Sequence, residues 1–275
     1  MDSTPKIDIH CHILPDWDDG PDTLEQSLAM CERAVQSGLE TVVATPHIGR
    51  EFRGRECDSP GISQAVAQLQ NELAARQIPL QIVPGGEILM GTVDLFARLP
   101  ADKALSYAHK GKFALIESPF AAWPDFGMQI VNLLQNKGIT PILAHPERYI
   151  DVQKDPKTLE KEVLQGALLQ ITAGALTGEM GRANRNCALQ LLKNGWVSFI
   201  SSDAHNTSHA LPADCVNEVK KLLGERAAHT IFVENPRKML EGARVFPVSA
   251  DTNDDEDDEA PNEAPRGFLR RLFGK

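Results

Sequence analysis

No stretch of this 275-residue chain approaches the ~18 consecutive apolar residues of a membrane-spanning helix, although 42% of its residues are hydrophobic. A buried core is therefore available without a bilayer. The amino-terminal run MDSTPKIDIHCHILPDWDDG has no basic region followed by a long apolar segment, so no secretory signal is expected and the chain reads as cytoplasmic. Paired cysteines are missing too. Cys11, Cys31, Cys57, Cys187 and Cys215 are odd in number, scattered, and contain no C-x-x-C, which excludes a disulfide framework and a zinc ribbon. Positive charge is in short supply, with 28 Lys and Arg against 38 Asp and Glu, a net charge of −10. Nucleic acid is captured by basic surfaces, so it is excluded as a partner, and any phosphate must be drawn by local charge. Neither G-x-G-x-x-G nor G-x-x-x-x-G-K-[ST] occurs, which argues against a doubly wound nucleotide fold.

What is present is a rhythm. Short aliphatic runs (KIDIHC, ETVVATPH, LQIVPGGEI, FALIES, ITPILAHP, ALLQITAG, WVSFISSDAH) alternate with amphipathic stretches such as TLEQSLAMCERAVQSG, ISQAVAQLQNELAARQ, IVNLLQNKG and ANRNCALQLLKNG. Several helices close on glycine, as in QSG, NKG and KNG, where a residue without Cβ can adopt the left-handed cap. Strands alternating with helices predict a mainly parallel sheet. About seven of them suggest a closed or nearly closed α/β barrel, a fold that commonly spends ~250 residues on one domain.

The character changes after Ala250. DTNDDEDDEAPNEAP holds eight carboxylates and no apolar run, and RGFLRRLFGK is basic and apolar. The chain therefore divides into a catalytic barrel over 1–247, an acidic disordered linker over 248–265 and a short basic amphipathic tail over 266–275. The tail reads either as a frayed end or as a weak tether to anionic membrane or a membrane-bound partner, which would make the protein peripheral to the inner face of the membrane.

His10 and His12 end the first strand on one face, because side chains alternate with period two, and that alternation turns Cys11 away. Each further strand delivers a ligand-type residue at its carboxyl end, where barrel loops converge. His47 follows TVVATP, Glu87 follows IVPGG, Glu117 ends FALIE, His145 ends ITPILA, and Asp203 and His205 follow VSFISS. Singly each has a dull explanation, and five strands sharing the accident is a poor one. An unpartnered buried carboxylate would cost several kcal/mol, a penalty that a cation converts into binding. Asp18, Asp19 and Asp22 lie at a helix start and read equally as N-caps. Arg148 offers a planar fork to phosphate, or else an ion pair with Glu147 or Asp151.

The ordered set IDIHCHILPDWDDG, ATPHI, GGEI, LIES, LAHPERY, ITAGALTG and SSDAHN resembles the PHP (polymerase and histidinol phosphatase) superfamily. It is most similar to the bacterial manganese-dependent protein-tyrosine phosphatase branch of capsule and exopolysaccharide biosynthesis, over roughly residues 6 to 240. That resemblance implies a distorted (β/α)7 TIM-like barrel holding three divalent metal ions, manganese with iron or zinc as alternatives. It implies one ion on His10, His12, Glu87 and Asp203, a second on Glu87, Glu117 and His145, and a third on Asp19, His47 and His205. It further implies catalytic roles for Arg148, Asp203 and His205, with a metal-activated hydroxide hydrolysing phosphotyrosine on a protein, a tyrosine kinase of polysaccharide export. Imidazole and carboxylate ligands without thiolate suit such metals, and four carboxylates against three divalent ions leave about +2 to hold a phosphate dianion.

One departure stands out. The branch carries an arginine shortly after its D-x-H-N motif, and here SDAHNTSHALPA has none, so either His209 or an arginine of IGREFRGRE (Arg50, Arg53 or Arg55, otherwise a solvated basic loop) takes its place, or phosphate affinity is weaker and specificity differs. The alternatives to a protein phosphatase are a small-molecule phosphatase of the histidinol-phosphate type and a catalytically impaired, metal-stabilised interaction protein.

Overall fold

The computed structural model describes residues 2–52, 55, 56, 59–91 and 105–251. Arg53, Cys57, the side chain of Arg55, most of the acidic linker and the basic tail lie outside the described residues.

The seven aliphatic runs become strands. In chain order they are β1 (Ile7–Cys11), β2 (Thr41–Ala44) with β3 (His47–Ile48), a short hairpin of β4 (Glu51–Phe52) and β5 (Arg55–Glu56), β6 (Gln81–Pro84) with β7 (Glu87–Leu89), β8 (Phe113–Glu117), β9 (Thr140–Ala144), β10 (Leu168–Thr172) and β11 (Val197–Ser201). Apart from the antiparallel hairpin every pairing among the described residues is parallel. The runs ETVVATPH and LQIVPGGEI are each broken into two short strands, and the pairs stay together: β2 on β6, β3 on β7. Gly85 and Gly86 allow it. A Cβ at Gly85 would stand 2.8 Å from Val43, and one at Gly86 2.8 Å from Ile48. The neighbouring strand passes where a side chain would be.

Pairings then run β1, β2/β3, β6/β7, β8, β9, β10, β11. They return to β1 through a parallel bridge between Cys11 and Ala204, with Asp203 N donating to His10 O (2.8 Å) and His12 N to Ala204 O (2.9 Å). The ends of this mixed α/β sheet system thus meet through a bridge rather than a regular ladder.

Side-chain alternation sorts the core. Ile9, Val43, Val83, Leu115, Ile142, Leu168 and Phe199, one from each of seven strands, gather in one buried cluster. Their neighbours Val42, Ile82, Ile116, Leu143, Ile171 and Ile200 belong to another, with the helix residues Leu28, Leu69, Leu134 and Leu191. Strands therefore bury both faces, one inward and one against helices, which is why they read as near-continuous apolar runs.

Numbering only helices of eight residues or more among the described residues, these are α1 (Leu24–Gln36), α2 (Ser59–Ala75), α3 (Gly127–Asn136), α4 (Arg182–Lys193) and α5 (Val216–Leu223). Thr23 caps α1, accepting from Gln26 N while Gln26 caps back, so the cap is neither Asp18, Asp19 nor Asp22. The glycines expected to stop α1, α3 and α4 have positive φ: Gly38 at 96°, Gly138 at 75° and Gly195 at 71°. No helix among the described residues is long and apolar enough to cross a membrane.

Candidate metal centre

At the carboxyl ends of these strands the polar residues singled out above come together. His10, His12, Glu87 and Asp203 are 2% exposed or less. His10 Nε2 lies 3.3 Å from His12 Nε2, 3.4 Å from Glu87 Oε2 and 3.1 Å from Asp203 Oδ1. His12 Nε2 lies 3.4 Å and 3.2 Å from the same two oxygens. Atoms bound ~2.0–2.2 Å from one ion stand about 3.3–3.6 Å apart at tetrahedral angles and about 2.8–3.1 Å at octahedral ones. The four atoms therefore have the spacing of a single coordination sphere.

Tautomers point the same way. His10 Nδ1 donates to Gln170 Oε1 (2.9 Å), His12 Nδ1 to Asp18 Oδ2 (2.6 Å) and His205 Nδ1 to the Asp203 carbonyl (3.0 Å). Each commitment leaves an Nε2 lone pair facing the cluster. Two such lone pairs and two carboxylate oxygens in van der Waals contact repel one another unless protons or a cation lie between them. Glu87 Oε2, Glu117 Oε1, Asp203 Oδ1 and His47 Nδ1 are all buried without a hydrogen-bond partner, as a cation site requires.

Two further groups adjoin the first. Asp19 Oδ1 lies 3.3 Å from His47 Nε2, 3.2 Å from His205 Nε2 and 4.0 Å from His12 Nδ1. His47 Nδ1 lies 3.1 Å from both Glu87 Oε2 and Glu117 Oε1. His145 is close but differently engaged, its Nε2 2.7 Å from Glu87 Oε1, so the carboxylate pair faces His47 where the family pattern implied His145. The nine residues nonetheless form one contiguous site. Burial opposes charge on Glu87 and Asp203; where protons rather than a cation lie between the donors, an imidazolium at His10 and, at Asp203, Arg148 outweigh it and hold both carboxyls well below the usual range. Hydrogen bonds from His205 and His47 in that protonated state likewise lower Asp19.

Backbone geometry concentrates here. His145 (φ 35°) and Asp203 (φ 51°) are non-glycine residues in the left-handed region, where strain persists only when surroundings impose it. The strain at His145 starts the 3-10 turn Pro146–Arg148. Arg148 then reaches Asp203, not Glu147 or Asp151. Glu147 accepts from Thr172 N (2.9 Å) and Oγ1 (2.7 Å), and Asp151 accepts from Trp123 N.

Of the replacements considered for the missing arginine, Arg50 contacts the cluster, its Nη2 2.9 Å from Glu117 Oε2. His209 instead accepts from His205 N through Nδ1 (3.2 Å). Cys11 faces away, its Sγ against the Ala204 carbonyl, and burial pushes its thiol up. Sequence reasoning missed Asp18 and Gln170 as partners of the imidazoles. Asp18 was visible only as a capping candidate, and Gln170 had no signal beyond its place in a strand.

The family model for capsular polysaccharide synthesis, CpsB/CapC, matches residues 6–241. The chain belongs to the CpsB/CapC family. Tyrosine-protein phosphatase YwqE of Bacillus subtilis (strain 168) is 34% identical over 243 residues, covering 87% of this chain and 93% of that protein. Tyrosine-protein phosphatase CpsB of Streptococcus agalactiae serotype III (strain NEM316) is 31% identical over 242 residues, covering 85% and 98%. A crystal structure described as YwqE from Bacillus subtilis and CpsB from Streptococcus pneumoniae, unique metal-dependent tyrosine phosphatases, superimposes with a TM-score of 0.80 at 32% identity, covering 90% of this chain and all of that one. A β-aspartyl dipeptidase from Fervidobacterium islandicum AW-1 has a TM-score of 0.53 at 14% identity, over 90% of this chain and 76% of that one, a likeness of fold alone.

Proposed function

We propose that this CpsB/CapC chain is a metal-dependent phosphomonoesterase acting on protein phosphotyrosine, with manganese as its metal and a tyrosine kinase of polysaccharide export as its substrate. The observation that carries this reading is the set of converging, unpartnered donor atoms with two guanidinium groups at its edge. His10, His12, Glu87 and Asp203 would hold one ion, and Asp19, His47 and His205 another. Glu117 and His145 would share Glu87 with a third. Divalent cations held there supply Lewis acidity toward phosphoryl oxygens and make hydroxide available near neutral pH.

The chain's own groups do the rest. Asp18 and Gln170 fix the His12 and His10 rings, so the donor atoms need no reorganisation. Arg148, anchored by one Nη on Asp203 and part-exposed, orients a phosphate with its remaining donors. The leaving phenolate, with an ordinary pKa near ~10, needs little protonation assistance. The protein works in the cytoplasm, and the basic tail at 266–275 makes a weak peripheral contact with anionic membrane.

The test is the protein loaded with manganese and assayed in parallel on a phosphotyrosyl peptide and histidinol phosphate. The peptide should have the higher kcat/KM. Asp203→Asn should lose metal and rate together, and Arg148→Ala should keep its metal while kcat/KM falls by about a hundredfold. Preference for histidinol phosphate, or full activity in both variants, overturns the reading.

A further inference from the structure

Each end of the polar cluster repeats one arrangement. Asp203 turns Oδ1 toward His10 and His12 and gives Oδ2 to Arg148. Glu117 turns Oε1 toward His47 at 3.1 Å and gives Oε2 to Arg50 at 2.9 Å. In both pairs the carboxylate is 5% exposed or less, and in both the arginine side chain keeps about a third or more of its surface open, 34% for Arg148 and 41% for Arg50. The two ends are joined atom to atom, since Glu87 Oε2 is 3.4 Å from His10 Nε2 and 3.1 Å from His47 Nδ1. Two anchored guanidiniums therefore flank one strip of donor atoms.

Ordinary surface ion pairs hold two exposed side chains and contribute little. Here one partner is buried at the floor of the site, so one Nη of each guanidinium is held while about a third or more of the arginine side chain stays open to solvent. Arg50 is placed by the turn between β3 and β4, where Gly49 has φ 85°, three residues after the cluster residue His47. No other arginine contact with a cluster carboxylate occurs among the described residues.

We infer that Arg50 is a second phosphate-binding residue, forming with Arg148 a clamp whose two forks grip a phosphate dianion lying across the cluster. The inference rests on the phosphomonoesterase reading but not on the identity of the alcohol. A fork offers two parallel donors where lysine offers a point charge, so the clamp distinguishes Arg50→Lys from wild type. The alternative is purely structural: Arg50 merely steadies Glu117 as a ligand.

Binding of inorganic phosphate to the manganese-loaded protein by isothermal titration, with metal content by elemental analysis, separates these. Arg50→Ala should retain the wild-type metal content and bind phosphate at least about tenfold more weakly, with KM on a phosphotyrosyl peptide rising more than kcat falls. Arg50→Lys should recover only part of that loss, and it carries the test if Arg50→Ala fails to fold. Loss of metal in a folded Arg50→Ala, or phosphate affinity unchanged in either variant, overturns the clamp. Weaker phosphate binding in the variants of a protein that turns over histidinol phosphate in place of peptide would sustain the clamp and sink the phosphotyrosine assignment. A wild-type protein that binds no phosphate sinks both.

Discussion

Asp18 serves three donors with one buried carboxylate. Its Oδ2 accepts from His12 Nδ1 at 2.6 Å and from His47 N at 3.0 Å, and its Oδ1 accepts from Gly20 N at 3.0 Å. It therefore fixes a ring of one strand end and the backbone of another before any cation arrives. Gly20 has to be glycine for the same loop to close, because a Cβ there would lie 2.4 Å from the His12 carbonyl oxygen. Asp18→Asn replaces one acceptor oxygen by a donor that faces either the imidazole or the amide. Metal affinity should fall by roughly 10–100-fold, measured by chelator competition, while circular dichroism stays that of the wild type. Unchanged affinity would show that His12 needs no such support. At this scale the sequence displayed the histidines and carboxylates because strand alternation and parallel pairing bring the strand-end residues to one edge of the sheets. It hid Asp18 and Asp19 among helix-capping types, since the same short carboxylate serves a helix terminus and an imidazole. Only the choice of Thr23 as the cap released them.

The segment between β8 and α3 shows how an element far from the chemistry holds part of it. Trp123 N donates to both oxygens of Asp151 (3.0 and 3.1 Å), Trp123 Nε1 donates to Glu162 (2.9 Å), and Ile150 N donates to Ala121 O (2.8 Å). These bonds brace the turn that presents Arg148. Gly127, the first residue of α3, lies against the indole, and a Cβ there would stand 2.4–2.5 Å from three ring atoms. Gly127→Ala must displace Trp123 and should destabilise by about 1–3 kcal/mol, lowering Tm by roughly 3–10 °C in a thermal melt. Metal content should persist, because no ligand moves with the indole; a Tm equal to wild type would mean that the loop yields without cost. Elements were legible where local rules decide them. Apolar runs gave the strands, and glycine stops gave the ends of α1, α3 and α4. The bends within ETVVATPH and LQIVPGGEI were not legible, since they arise from the mutual approach of the two strands at Gly85 and Gly86. The stretch KTLEKEVLQG folds as the end of a 3-10 turn, Pro156–Leu159, followed by the short helix Glu160–Leu164, and Asp155-Pro156 separates both from the helix Ile150–Lys154.

For the whole molecule the charge distribution sets the remaining expectation. The chain carries −10 overall, and an acidic run precedes four cationic and four large apolar residues at 266–275. An anionic bilayer repels the body and attracts the tail, each basic residue near such a surface contributing about 1 kcal/mol. The proposed tether is therefore electrostatic as well as apolar. Asp251 must be kept in any shortened version, because it accepts from Arg226 N (3.1 Å) and Ala227 N (3.0 Å) while its own N–H donates to Leu223 O (2.7 Å). A chain ending at Thr252 preserves those bonds, so loss of the tail is not confused with loss of a cap. In co-sedimentation, the full chain should partition onto vesicles rich in phosphatidylserine and release as salt is raised through the range where the Debye length falls from ~10 Å toward ~3 Å. The shortened chain should stay in the supernatant with its metal content and phosphopeptide turnover intact. Equal partitioning of the two would leave residues 266–275 with no role at a membrane.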